Sequence, residues 1–215
     1  MEKLSQQRVS TALRILYPLW LVFGSFSVVY VPSKLLVLGN AGETANNILS
    51  NELLFRASIS GSLITQLIFI FAVLLLYRLF ESVNKSQALL MVVLALVSVP
   101  IAMLNELNSV AALMLLNSPE QMMLFLNLHA QGIIIASIFW GLWLFPLGYL
   151  AYKSGYFPKV IGGFVIIAGI GYTLGSFIKL LMPGLESAIS IFELMAFGEV
   201  IFLAWLVIRG AKLDR

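Results

Sequence analysis

Cysteine is absent from the 215 residues. That excludes disulfides, thiolate metal sites and a cysteine nucleophile. Histidine occurs once, at His129, and no aspartate lies in any long apolar segment. Charge is scarce throughout. Only 11% of residues are Asp, Glu, Lys or Arg, where a soluble domain carries about 25%. No basic run and no groove-reading motif is present, so nucleic acid is not a predicted partner. Hydrophobic residues fill the space left by charge, at 60% of the chain. This is the composition of a membrane protein, and its length suits a single domain over 1–215.

A membrane helix needs roughly 20 apolar residues. Six stretches qualify, at 11–31, 53–80, 88–116, 122–152, 160–182 and 187–208. The fold class predicted is all-α, a six-transmembrane-helix bundle. The first stretch is too long for a signal-peptide core and no A-x-A site follows it, so it reads as a retained helix. Short polar turns join the spans, with Gly155 and Pro158 stopping the helices around them. The longest connection, 32–52, contains a segment over 43–50 that suits a short surface helix.

Orientation follows from Lys and Arg. With the N-terminus in the cytoplasm, Lys3, Arg8, Arg14, Arg78, Lys85, Lys153, Lys159, Arg209, Lys212 and Arg215 lie inside. Only Lys34, Arg56 and Lys179 lie outside. Both termini are therefore predicted to be cytoplasmic, and the expected location is a bacterial cytoplasmic membrane. Pro18, Pro100 and Pro146 sit inside spans, where each removes a backbone donor and favours a kink. Gly171 and Gly175, four apart, allow a helix partner to approach closely, as do Gly132 and Ala136.

In this topology the polar residues gather toward one side of the membrane. Arg56 opens the second span, Asn105, Glu106 and Asn108 lie in the third, His129 in the fourth, Lys179 in the fifth and Glu193 in the sixth. Ionisable groups in hydrocarbon are expensive and are usually paired or set against a wet cavity. Helical rise places His129 and Glu193 about 10 Å from the outer ends of their helices and Glu106 about 15 Å. Arg56 and Lys179 lie only about 5 Å in and can snorkel to the headgroups. Glu106 is too short and too deep for that, so Arg56 or Lys179 is a candidate for its counter-charge. Glu199 is the one deeper charge, suited to a proton path or to a hydrogen bond with a neighbouring helix.

Several short motifs recur together: Leu54-Phe-Arg56 at the start of the second span, Leu128-His129-x-x-Gly132 in the fourth, Gly155 with Pro158, and Ala168-Gly-x-Gly-Tyr followed by Ser176-Phe177. On these the chain resembles a bacterial membrane family known as domain of unknown function 4386, over nearly its whole length. The resemblance implies a six-helix integral membrane protein and raises Arg56 and His129 among the candidate residues. It implies no reaction.

Three readings of the polar cluster compete. The first is a site for a small anionic or lipid-like ligand, formed by Arg56, Asn105, Glu106, Asn108, His129, Lys179 and Glu193, with membrane lipids as surroundings. The second is an enzyme. His129 with Glu106 can serve as base and orienter for hydrolysis, or His129, Glu106 and Glu193 can ligate a metal. No G-x-S-x-G or H-E-x-x-H spacing supports either, and no cofactor is implied. The third is a structural bundle whose polar residues set helix register and whose Gly171/Gly175 face takes a packing partner.

Overall fold

The computed structural model describes residues 2–182 and 184–213. Arg215, counted above among the inner cations, lies outside the described residues. All regular structure among the described residues is helical. In chain order the α-helices are α1 (Glu2–Ser25), α2 (Val31–Leu35), α3 (Ala41–Ser50), α4 (Glu52–Phe80), α5 (Lys85–Met114), α6 (Pro119–Leu142), α7 (Leu144–Ser154), α8 (Lys159–Leu181) and α9 (Glu186–Arg209). Six helical stretches are long and apolar enough to cross a membrane: Gln6–Leu35, Glu52–Phe80, Lys85–Met114, Pro119–Ser154, Lys159–Leu181 and Ile189–Arg209. The protein is thus an integral membrane protein of the predicted class. The first and fourth spans run beyond both predicted ends, and the boundaries of the other four differ from the prediction by at most three residues.

Local chemistry explains where the helices deviate. A π-helical turn, Phe26–Tyr30, joins α1 to α2. It ends just before Pro32, whose missing N–H cannot complete the α-ladder. α1 runs through Pro18 and α5 through Pro100 without interruption. Pro146 behaves differently: the fourth span breaks at Trp143, between α6 and α7. Pro146 has no amide to offer the carbonyl of Leu142, four residues earlier, so the helix opens there. α7 then ends at Gly155, whose φ of 71° is left-handed and favours glycine.

The chain forms two compact units. The first comprises Met1–Pro18, Ile70–Val99 and Ile134–Arg215. Here glycines bring backbones into contact. A methyl group added at Gly171 would sit 2.6 Å from the Phe192 carbonyl and 2.8 Å from Met195 Cβ. One at Gly198 would strike the carbonyl of Phe164. The close-approach face of Gly171 and Gly175 is therefore taken by α9 of the same chain. Gly148 and Gly162 do the same for α7 and α8, each facing the other's carbonyl at 2.8 and 2.7 Å. Both chain ends meet at one end of this unit. The Arg14 guanidinium donates to the Val207 carbonyl at 2.8 Å and to that of Ile208 at 3.3 Å. Ser10 Oγ accepts from the Ala211 amide at 3.3 Å, and the Lys212 amide donates to the Tyr156 carbonyl at 3.0 Å. Gln6 reaches Ser82 in the turn after α4, at 3.1 Å.

The second unit comprises Leu19–Phe69 and Pro100–Ile133. Its core packs Val31, Leu35, Ala45, Ile48, Phe55 and Ile59 with Ala112 and Met122. The short helix foreseen in the long connection is α3. Its cap, Asn40, accepts from the Glu43 amide at 3.0 Å and donates to the Glu43 carboxylate at 2.9 Å. This reciprocal cap satisfies a donor at the helix start, and Ile48 seats the helix in the core.

Candidate functional site

Four of the seven predicted site residues come together, all in the second unit. α5 and α6 are joined by a tight turn, 115–118, and so run antiparallel. Glu106 and His129 face each other across this hairpin, with imidazole Nε2 3.3 Å from Glu106 Oε1. Asn105 supports the pair from below. Its side-chain amide donates to the backbone carbonyl of His129 at 2.8 Å, and Asn108 donates to Asn105 Oδ1 at 3.0 Å. Asn105 and Asn108 lie one turn apart on one face of α5, which is what lets the second hold the first. Asn105 and Glu106 are buried, while the His129 side chain keeps 26% of its surface open.

Glycine explains how the asparagine reaches so far. A side chain at Gly132 would collide with the amide of Asn105. The Leu128-His129-x-x-Gly132 motif therefore supplies both the imidazole and, one turn later, the gap through which Asn105 reaches it.

The other three predicted residues pair elsewhere. Arg56 does not supply the counter-charge of Glu106. It is bonded to Glu52, 2.7 Å away and one turn earlier on α4, and its side chain is 59% exposed. Lys179 bonds Glu193 at 2.8 Å, between α8 and α9 in the first unit, with side chains 33% and 60% exposed. Each predicted cation thus has a carboxylate of its own. The Glu52–Arg56 spacing is a plain i, i+4 pair and was visible in the sequence. The Lys179–Glu193 pair depends on helix packing and was not.

No group of three or more His, Cys, Asp or Glu comes together among the described residues. His129 and Glu106 offer two donors, and Glu193 is held by Lys179, so the three do not form a ligand set. An open apolar groove of about 780 Å³ lies in the first unit, lined by Leu16, Phe71, Leu74, Leu75 and Tyr77 with the Arg78–Glu81 pair. None of the seven predicted residues lines it.

Comparison with known proteins adds no activity. A segment of 77 residues, 36% of this chain, is 44% identical to an uncharacterized protein of Archaeoglobus fulgidus and spans 45% of that relative's length. No solved structure matches the chain. The family model for the domain of unknown function DUF4386 matches residues 15–210. That match takes in the first span from residue 15 onward, the other five spans whole and the Glu106–His129 hairpin, and the chain belongs to this family.

Proposed function

We propose that this membrane protein binds one small lipid-like molecule at the Glu106–His129 pair, with Asn105 and Asn108 holding the pair in place. The observation that carries the reading is the imidazole–carboxylate contact at 3.3 Å, clamped by the Asn105 bond to the His129 backbone. A polar set that only fixed helix register would need no exposed imidazole, and the His129 side chain keeps 26% of its surface open.

The charges at the site select the ligand. Exposed ion pairs such as Glu52–Arg56 and Lys179–Glu193 contribute about 0–1 kcal/mol, so they neither block nor build an anion site. Glu106 decides the matter. A carboxylate beside the only imidazole leaves the pair with no net positive charge when both are ionised. A formal anion gains little there. A hydroxyl, ester or amide group can bond the exposed imidazole, with an acyl chain lying along the apolar helix faces around it. The Lys/Arg distribution supports an orientation with this hairpin toward the outer side of the membrane and both termini inside.

The same pair could serve as base and orienter in hydrolysis. The hydrogen bond of the imidazole goes to Glu106, which supports binding without chemistry as the better fit.

Native mass spectrometry of the detergent-purified protein tests the reading. The wild type should carry a discrete lipid-sized adduct. His129→Ala and Glu106→Gln should lose it while circular dichroism shows the helices intact, and Arg56→Ala should keep it. A bare wild type, or an adduct that survives both His129→Ala and Glu106→Gln, overturns the proposal. Loss in Arg56→Ala alone would replace it with an anionic-headgroup site.

A further inference from the structure

Glu199 lies deep in the sixth span, and nothing in the hairpin site uses it. It sits 13 residues into α9, about 20 Å along the helix, beyond the reach of snorkelling. Gly198 and Gly171 allow α9 and α8 to touch backbone to backbone. At this crossing the Tyr172 hydroxyl, on α8, hydrogen-bonds the Glu199 carboxylate. α1 brings a second phenol. Tyr17 retains 4% of its surface and lies one turn beyond Arg14, whose guanidinium holds α1 against α9 at the Val207 and Ile208 carbonyls. Its hydroxyl is buried and has no hydrogen-bond partner among the described residues. All three residues belong to the first unit.

Two deficits coincide here. Tyr17 presents a buried oxygen without a partner, which native structures rarely leave unsatisfied. Glu199 presents a carboxylate at mid-span, which must be paired, protonated or wet. Among the described residues, Tyr172 from α8 and Tyr17 from α1 are the titratable groups that interact with it, and neither is a cation. A water molecule would satisfy the hydroxyl and leave the charge. A small cation held between the carboxylate and the two phenolic oxygens answers both.

We propose that Glu199, Tyr172 and Tyr17 form a mid-membrane site that takes up one small monovalent cation, either Na⁺ or a proton. Oxygen-only donors and a single negative charge suit a hard monovalent ion and give little hold on a soft transition metal. This site is separate from the Glu106–His129 pair and does not depend on the ligand proposed there.

Thermal unfolding of the full-length protein in detergent tests it, titrating NaCl against choline chloride at constant ionic strength and then varying pH without Na⁺. If Na⁺ is the ion, the wild-type Tm should rise saturably by about 5 °C or more. Glu199→Gln should abolish that rise, and Tyr17→Phe should shift its midpoint to at least about tenfold higher Na⁺, one lost oxygen contact in an ion site. If the ion is a proton, Na⁺ should do nothing. The wild-type Tm should then rise on acidification relative to Glu199→Gln, and infrared difference spectra should show a protonated carboxyl band missing from that variant. A wild type whose Tm tracks Glu199→Gln under both titrations overturns the proposal. If Glu199→Gln does not fold, Tyr17→Phe and Tyr172→Phe carry the test, and an unchanged Na⁺ and pH response in both likewise overturns it.

Discussion

A missing methyl group governs the geometry around His129. The Asn105 amide occupies the space that a side chain at Gly132 would need, and from there it holds the His129 carbonyl at 2.8 Å. Gly132→Ala should therefore expel Asn105 and lower stability by about 1–3 kcal/mol, the usual range for overpacking. Asn105→Ala should cost about 0.5–1.5 kcal/mol for the lost bond. The double variant should be more stable than Gly132→Ala alone, because removing Asn105 relieves the clash. Thermal or denaturant unfolding in detergent measures this cycle, and strict additivity would show that the two residues do not share the space. The sequence placed Glu106, His129, Asn105 and Asn108 toward one side of the membrane, and the structure brings these four together. Depth alone offered Arg56 or Lys179 as the counter-charge of Glu106, and the structure pairs them with Glu52 and Glu193 instead. Tyr17 and Tyr172 could not be tied to Glu199 from sequence, because nothing in three separate apolar helices announces which faces meet.

The elements themselves were largely legible. Apolar runs above span length, separated by Gly, Pro and short polar turns, identify the six crossings and also α3. What the hydrophobic pattern does not carry is backbone detail inside a span. Three prolines were equal candidates for a kink, yet only Pro146 coincides with a break, at Trp143. If the missing amide is the cause, Pro146→Ala should let the helix close onto the Leu142 carbonyl and leave Tm unchanged or higher. A fall of more than about 2 kcal/mol would instead show that the buried ring is needed for packing. Gly198 makes the opposite case. Its α-carbon lies against the Phe164 carbonyl, and a backbone atom cannot rotate away. Gly198→Ala should destabilise by about 1–3 kcal/mol or more by pushing α8 and α9 apart.

At the scale of the molecule, the absence of cysteine makes topology easy to measure. Gln7→Cys, Lys85→Cys and Lys153→Cys, each a single cysteine in an otherwise cysteine-free chain, should react together with a membrane-impermeant maleimide only after the cytoplasmic side is opened. Asn117→Cys should react in intact cells. Reaction of Gln7→Cys alone in intact cells would contradict the contacts that join the N-terminal helix to the 81–84 turn and to the chain's end.

Those contacts also set an order of assembly. Arg14 caps the carbonyls of Val207 and Ile208, and Ser10 waits for the amide of Ala211. α1 therefore cannot complete these bonds until α9 has been synthesised. Until then the arginine at the start of the chain has no carbonyl to hold. A chain cut short before α9 keeps five of its crossings and still leaves α1 unlatched, so this join reports that the sixth span is in place.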